Sequence, residues 1–280
     1  MSSPASGETR GTKLPWRIPI VVLIAALILT VVVVCAVLGD KVSPDSPFLQ
    51  RLRIGDTPPS ASHIAGTDLL GRDILSRVIY GARTALVGPV VVAAGAFAMA
   101  TLLGLVSGYL GGLVDSAIMR WVDFMFALPG TLVAIVVVGV LGGGYWTAVV
   151  VLIVLFTGPD TRIVRSAVLE QRPLPYIDAA RTLGISKTRI LFIHILPNVL
   201  TIILAYVALD FAFALVSLAG LSFLGLGVEP GAPDWGRMVF ENRNILFSNP
   251  VALLLPAAMI MLTAVSMNLI GDCLFEWFAK

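Results

Sequence analysis

Charged residues are scarce in this 280-residue sequence: Asp, Glu, Lys and Arg make up 13% of it, whereas 58% is hydrophobic. Soluble domains carry about 25% charged residues, so a water-soluble chain is excluded and an integral membrane protein is predicted. The formal net charge is only +2, and the basic residues are dispersed. A nucleic-acid partner requires a clustered basic surface, so nucleic acid is excluded and the lipid bilayer is the expected partner.

Histidine and cysteine are also rare, with two of each. Neither histidine has a Cys or His neighbour at metal-ligand spacing, so no metal site is predicted. Cys35 and Cys273 lie near the ends of the first and last apolar runs, and the topology predicted below places them on opposite membrane faces, which excludes a disulfide. A phosphate loop of the Gly-x-x-x-x-Gly-Lys-Ser/Thr type is missing as well, so no ATP-hydrolysing site and no cofactor are expected in this chain.

Six apolar stretches are candidates for membrane spans, each of which needs roughly 20 helical residues. The stretches cover residues 18–38, 82–106, 124–141, 146–157, 199–224 and 251–270. The fourth is too short unless it extends toward Val164, so its boundaries stay open. The predicted fold class is all-α, a polytopic membrane protein with six transmembrane helices.

The polar segments between the stretches define the predicted organisation. It comprises an N-terminal tail (1–17), a first transmembrane helix (18–38), an extracytoplasmic segment (39–81), a core of five transmembrane helices (82–272) with a polar loop at 160–197, and a C-terminal tail (273–280). A cytoplasmic N-terminus places more of the Lys and Arg residues inside than outside, as the positive-inside rule favours. Six spans then return the C-terminus to the cytoplasm.

The polar loop predicts two short helices with a bend between them. Pro175 suits a first helical turn, Asp178 lies where the helix dipole favours a carboxylate, and Gly184 suits a C-terminal cap. Ser186 can cap a second helix, which Pro197 is expected to end before the fifth span.

One face of the first loop helix is small and apolar, because Ile177, Ala180 and Gly184 recur at three- and four-residue spacing. A compact helical knob of this kind can seat in a groove of a soluble motor and pass rigid-body motion to the adjoining spans. The alternative is an ordinary surface helix that covers the end of the bundle.

Asp210 lies inside the fifth apolar stretch, where a charged side chain is costly and calls for a partner or a water-filled cavity. Tyr206, Phe213 and Ser217 lie at helical spacing from it and share its face. These four residues are candidates for a path across the membrane. A structural hydrogen bond from Asp210 to a neighbouring helix is the alternative.

The predicted extracytoplasmic side holds two further candidates. Arg72, together with Asp68 and Asp73, can organise a turn or contact a second protein. Trp235 is expected to be an interfacial aromatic anchor, the common role of Trp at a membrane surface, or a part of the same contact surface.

The polar loop also resembles a known signature. Asp178-Ala179-Ala180, followed by Gly184 and by Leu196-Pro197, resembles the EAA motif in permeases of binding-protein-dependent ABC importers. The family pattern has Glu in place of Asp178, and an apolar residue where His194 stands. The resemblance implies that the residues which couple to the ATPase are Tyr176, Asp178, Ala179, Ala180, Gly184, His194, Leu196 and Pro197.

Other segments resemble the C-type permease of the dipeptide and oligopeptide branch of these importers, namely 66–77, 108–123, 222–236 and 268–272. The resemblance implies the type I importer permease fold in the cytoplasmic membrane of a bacterium. It also implies a homologous B-type permease, two ATPase subunits or domains that carry ATP and Mg, and an extracytoplasmic solute-binding protein. In such a complex Asp210 would meet the amino group of a peptide, and the contacts to the binding protein would be Asp68, Arg72, Asp73 and Trp235.

Two other classes of protein stay open at this point. A proton-coupled secondary transporter would use Asp210 as a proton carrier, but it leaves the Asp178 loop without a purpose. An intramembrane hydrolase would use Ser222 in a Gly-x-Ser-like turn, yet His63 and His194 are expected too far away to serve as its base. The cargo is open as well, since relatives of this branch carry dipeptides, longer peptides, nickel complexes or haem.

Overall fold

A computed structural model describes residues 19–278. The predicted N-terminal tail (1–17) and the last two residues of the predicted C-terminal tail lie outside this range. Within it the chain is helical, and the helices are α1 (Ile20–Val42), α2 (Ile74–Leu110), α3 (Gly112–Phe126), α4 (Gly130–Val140), α5 (Tyr145–Gln171), α6 (Pro175–Thr182), α7 (Lys187–Arg189), α8 (Leu196–Phe223), α9 (Trp235–Asn242) and α10 (Pro250–Phe278).

Five of the described helices, α1, α2, α5, α8 and α10, are long and apolar enough to cross a membrane. A sixth crossing results if α3 and α4, which meet at an angle of 88°, form one broken span. The predicted third span (124–141) is therefore not one straight helix. Pro129 lacks an N–H and disfavours helical geometry at the residue before it, so the chain turns there. At about 16 Å, α4 is too short to span alone.

Helix α1 runs antiparallel to α2, whereas α2 and α5 run parallel to each other, as neighbouring residues show. Gly39 at the end of α1 lies against Tyr80 near the start of α2, Gly88 of α2 lies against Tyr145 at the start of α5, and Gly108 lies against Val168 near the end of α5. Residues 43–73 and α9 cover one end of the bundle, which we call the cap end. The opposite end, which carries α6, is the loop end.

Helix α2 begins inside the predicted extracytoplasmic segment (39–81). The Asp73 carboxylate accepts a hydrogen bond from the Ser76 backbone N–H at 2.8 Å, which caps the first turn of α2. This capping bond starts the helix eight residues earlier than the apolar run at Ala82 indicated. The segment between α1 and α2 is correspondingly shorter, and it is folded onto the bundle.

Helix α5 settles the open boundary of the fourth span, because it continues through Pro159 to Gln171. Close packing on α2 explains this continuation. A Cβ atom built on Gly104 would lie 2.5 Å from the Val164 Cβ, so the two backbones touch through a glycine face, as is common between helices in lipid. The polar loop at 160–197 therefore has its first twelve residues inside a helix.

Candidate functional site

The first helix of the loop end is α6, and it begins and ends as the sequence predicts. Pro175 is its first residue. At its other end Gly184 has φ +70°, the Ile185 N–H donates to the Ala180 carbonyl at 3.1 Å, and the Gly184 N–H donates to the Arg181 carbonyl at 2.9 Å. These two bonds form a Schellman cap, which fixes the end of the helix.

The small apolar face of α6 points into the protein. Ile177 is fully buried and Ala180 nearly so, and both belong to a hydrophobic cluster with Leu105, Val168 and Ile190. This face cannot enter a groove of a soluble partner, so that part of the prediction is wrong. Its physical effect is instead to fix α6 to α2 and α5.

The outer surface of α6 is the part that another protein can reach. Asp178 and Ala179 are exposed there, and Leu183 is 79% exposed. The Arg181 guanidinium lies 3.1 Å from an Asp178 carboxylate oxygen and 5.6 Å from the centre of the Tyr109 ring. The result is a rigid, mostly polar knob with one exposed leucine.

The second loop helix does not end at Pro197. Ser186 caps α7 by accepting the Arg189 N–H, as predicted, but the chain then continues through a π-helical turn (Ile190–Ile195) into α8. The wider turn bonds the Leu196 N–H to the Leu191 carbonyl and accommodates a proline that has no N–H to donate. Helices α7 and α8 are therefore joined in one continuous helical element.

The remaining candidates in the loop brace this junction. The Tyr176 hydroxyl donates to the Gln171 side chain at 2.8 Å, and the Asn198 amide donates to the His194 carbonyl at 2.6 Å. Burial raises the pKa of the Tyr176 phenol, so it remains a neutral donor. Leu196 is half-buried at the junction, and the Pro197 ring is exposed.

A cavity of about 950 Å³ lies between α5, α8 and the corner that joins α3 to α4. All four residues of the predicted path, Tyr206, Asp210, Phe213 and Ser217, line it. Most of the remaining lining is apolar and includes the rings of Phe126, Phe156 and Phe223. The shared helical face of these residues is therefore the wall of one large cavity.

Asp160 of α5 also lines this cavity, and sequence reasoning missed it. Asp160 directly follows Pro159, which suggests the end of a helix. Because α5 continues beyond this proline, Asp160 belongs to a membrane-spanning helix. Asp160 is 7% exposed, and its carboxyl group lies within hydrogen-bonding reach of the Asp210 carboxyl. The partner of Asp210 on a neighbouring helix is thus a second acid.

At the cap end, a buried cluster of ions joins residues 43–73 to α2 and α9. Arg72 donates to an Asp68 carboxylate oxygen at 2.6 Å and to a Glu241 carboxylate oxygen at 2.8 Å. Arg77 donates to the same Glu241 oxygen at 3.2 Å. Burial raises the pKa of Glu241, but the Gly231 N–H, Arg77, Arg72 and Arg237 together hold it below its ordinary value.

This cluster changes the interpretation of the predicted contacts to a second protein. Asp68, Arg72 and Asp73 are 2–4% exposed, and Trp235 is 1% exposed with its Nε1–H donating to the Val78 carbonyl at 2.8 Å. Side chains this deeply buried cannot form a docking surface, and Trp235 is not an interfacial anchor. Arg72 and Asp68 instead organise a turn, which was the alternative.

The comparisons with known proteins agree on one family. Residues 100–280 match the model of the family described as "Binding-protein-dependent transport system inner membrane component". The chain is 40% identical to the "Dipeptide transport system permease protein DppC" of Alkalihalophilus pseudofirmus over 76% of this chain and 70% of that protein. It is 38% identical to the "Glutathione transport system permease protein GsiD" of Pectobacterium atrosepticum, over 76% of this chain and 71% of that one.

A solved structure shares the fold. A chain of the MetNI methionine ABC transporter, determined in inward-facing conformations, matches with a TM-score of 0.59 and 16% identity, over 74% of this chain and 98% of that chain. About three-quarters of this chain thus has the fold of an ABC importer permease.

Proposed function

The chain belongs to the family of binding-protein-dependent transport system inner membrane components, and from this premise we propose that it moves dipeptides or oligopeptides into the cell. It is a multi-pass permease rather than an enzyme. In the proposal it forms half of the translocation pathway, and a homologous B-type permease forms the other half. An extracytoplasmic solute-binding protein delivers the peptide, and two cytoplasmic ATPase subunits or domains bind ATP and Mg.

The cavity is the observation that carries this proposal. At about 950 Å³ it is at the upper end of the range for small-molecule sites, roughly 300–1,000 Å³, so it has room for a short peptide. Its wall combines apolar and aromatic surface with the carboxyl groups of Asp160 and Asp210. Peptide side chains of varied size can pack on the apolar surface, while the positively charged amino end of a peptide can pair with these carboxyl groups.

The loop end supports the proposed coupling to ATP hydrolysis. Helix α6 is fixed at its inner face, capped at Gly184 and presents Asp178, Ala179 and Leu183 outward. Because the chain runs from α7 through the π-helical turn into α8, an ATPase seated on α6 can move the helix that carries Asp210. The proposed path from the ATPase to the cargo therefore runs from α6, through its packing on Ile190, into the continuous element formed by α7, the π-helical turn and α8.

Reconstitution tests the proposal directly. The complex of this chain, its partner permease, the ATPases and the binding protein is placed in proteoliposomes with a labelled dipeptide outside. We expect uptake that requires ATP and is blocked by vanadate. Uptake driven by a proton gradient without ATP would instead indicate a secondary transporter, and ATP-driven uptake of nickel or haem but of no peptide would reassign the cargo.

A further inference from the structure

The environment of Asp160 is unusual for a charged side chain. The residue is 7% exposed, and its Oδ2 atom has no hydrogen-bond donor among the residues that the structure describes. The Asp210 carboxyl supplies a donor only while it is protonated, because an ionised carboxylate only accepts hydrogen bonds. Burying an unsatisfied charged group is expensive, so this arrangement calls for a ligand.

No cation among residues 19–278 fills this role. Every ion pair within residues 19–278 lies elsewhere in the molecule, and none includes Asp160 or Asp210. Two ionised carboxylates in contact repel each other, and such a pair is stable with a shared proton or with a cation between its members. The pair is therefore ready to exchange a proton for a positively charged ligand.

The surroundings favour an organic cation over a metal ion. Among the described residues no third His, Cys, Asp or Glu joins the pair as a metal ligand would. The same cavity wall carries the rings of Phe126, Phe156, Tyr206 and Phe213, and aromatic faces attract ammonium groups. A primary ammonium has three N–H donors, enough to bond both carboxylates at once.

We propose that Asp160 and Asp210 together form a cation subsite of the cavity, which takes the primary ammonium group of the cargo during translocation. This inference rests on the proposed function and makes it more specific: the cargo is a peptide with a free amino group, and the group is bound at the α5–α8 interface. The apolar remainder of the cavity then receives the rest of the peptide.

The test compares charge-removing variants of the assembled complex. Asp160→Asn and Asp210→Asn keep the size of the side chain and remove its charge, and Asp40→Asn is the control because Asp40 is an exposed acid on α1, outside the cavity. ATP-driven uptake of labelled Ala-Ala into proteoliposomes is measured at equal amounts of reconstituted complex. We expect a loss of about tenfold or more in both cavity variants, the scale of losing one partner of a buried charge interaction, and no loss in the control.

A binding measurement separates ammonium recognition from other roles of the pair. Binding of Ala-Ala and of N-acetyl-Ala-Ala to the nucleotide-free complex is measured by equilibrium dialysis without the binding protein. The wild type should prefer the free amine by about tenfold, and both cavity variants should lose this preference. A lysine-containing acetylated peptide, N-acetyl-Lys-Ala, shows whether a side-chain ammonium is accepted in place of the terminal one, which the proposal also allows.

Several outcomes overturn the inference. Uptake within twofold of wild type in both cavity variants, or an amine preference that persists in them, removes the pair from cargo recognition. Loss of wild-type binding when choline replaces sodium identifies an inorganic cation site instead. If the wild-type complex transports no peptide at all, the proposed function fails and this inference fails with it, whereas peptide uptake with unaffected variants defeats the inference alone.

Discussion

Two regions of the molecule hold carboxylates that are buried or half-buried, and their surroundings are opposite. At the cap end, Asp68 and Glu241 are both bonded to Arg72. In the cavity, Asp160 and Asp210 contact each other and form no ion pair within the described residues. Burial costs several kcal/mol per ion, and the cap compensates this cost within the folded chain.

The difference separates structural from functional charge. A buried carboxylate that is paired inside the protein holds two segments together and has nothing left to offer a ligand. A buried carboxylate without such a partner can still bind a cation, and binding and catalytic sites commonly contain carboxylates of this kind. The free energy of unfolding and the rate of uptake should therefore respond in opposite ways to substitutions in the two regions.

The largest effect on stability is expected from Arg72→Ala at the cap end. Removal of this guanidinium leaves Asp68 with only the more distant Arg77, at 3.9 Å, and Glu241 with one arginine fewer, which should lower the free energy of unfolding by about 3–5 kcal/mol. Chemical unfolding in mixed micelles measures this free energy. Arg53→Ala, at an exposed residue of the same segment, should stay within about 0.5 kcal/mol of wild type, and equal stability of the two variants would contradict a structural role for the cluster.

A matched pair of Asp→Asn substitutions sharpens the comparison. Asp68→Asn weakens a charge-assisted bond in the cap and should cost about 2 kcal/mol. Asp160→Asn removes an unpaired buried charge, so the free energy of unfolding should be unchanged or higher, while peptide uptake falls. The same unfolding assay and the uptake assay are run on both variants. A large loss of stability in Asp160→Asn would show that the cavity acid is structural.

A smaller effect is expected at Gly184, whose φ of +70° only glycine adopts freely. Gly184→Val should cost about 1–2 kcal/mol, although an added Cβ would meet no atom within 4 Å. Gly184→Asn is the control, because Asn tolerates this conformation better than other residues do. We expect the Val variant to hydrolyse ATP with reduced uptake, and the Asn variant to lie closer to wild type. Equal behaviour of the two would argue against the geometry of the cap as the cause.

The smallest effect on stability is expected from Asp178→Lys, where the charge is exposed. Its ion pair with Arg181 lies on the surface, and such pairs contribute about 0–1 kcal/mol. The variant should therefore insert and fold normally, yet uptake should fall while ATP hydrolysis continues, because the changed charge lies on the outer surface of α6. Asp178→Glu preserves the charge and should retain uptake. Full uptake by Asp178→Lys would contradict the coupling role.

Features that depend on neighbours in the sequence could be predicted well. The start of α6 at Pro175 and its glycine cap follow from local conformational preferences, and the common face of Tyr206, Asp210 and Phe213 follows from helical spacing. Less could be predicted where burial decides. Tryptophan is a residue type common at membrane interfaces, but Trp235 lies in the core because α9 folds against α2 and α8. No sequence pattern within α9 specifies that packing.

The sequence alone determined that the chain lies in a membrane and which helical stripe carries an acid, because hydropathy and helical period act over a few residues. Only the tertiary structure decided that α5 continues past Pro159, that the third crossing breaks at Pro129, and that Asp160 meets Asp210. These features arise from packing between helices distant in sequence, such as the contact of Gly104 with Val164, and that packing sets which side chains share the cavity.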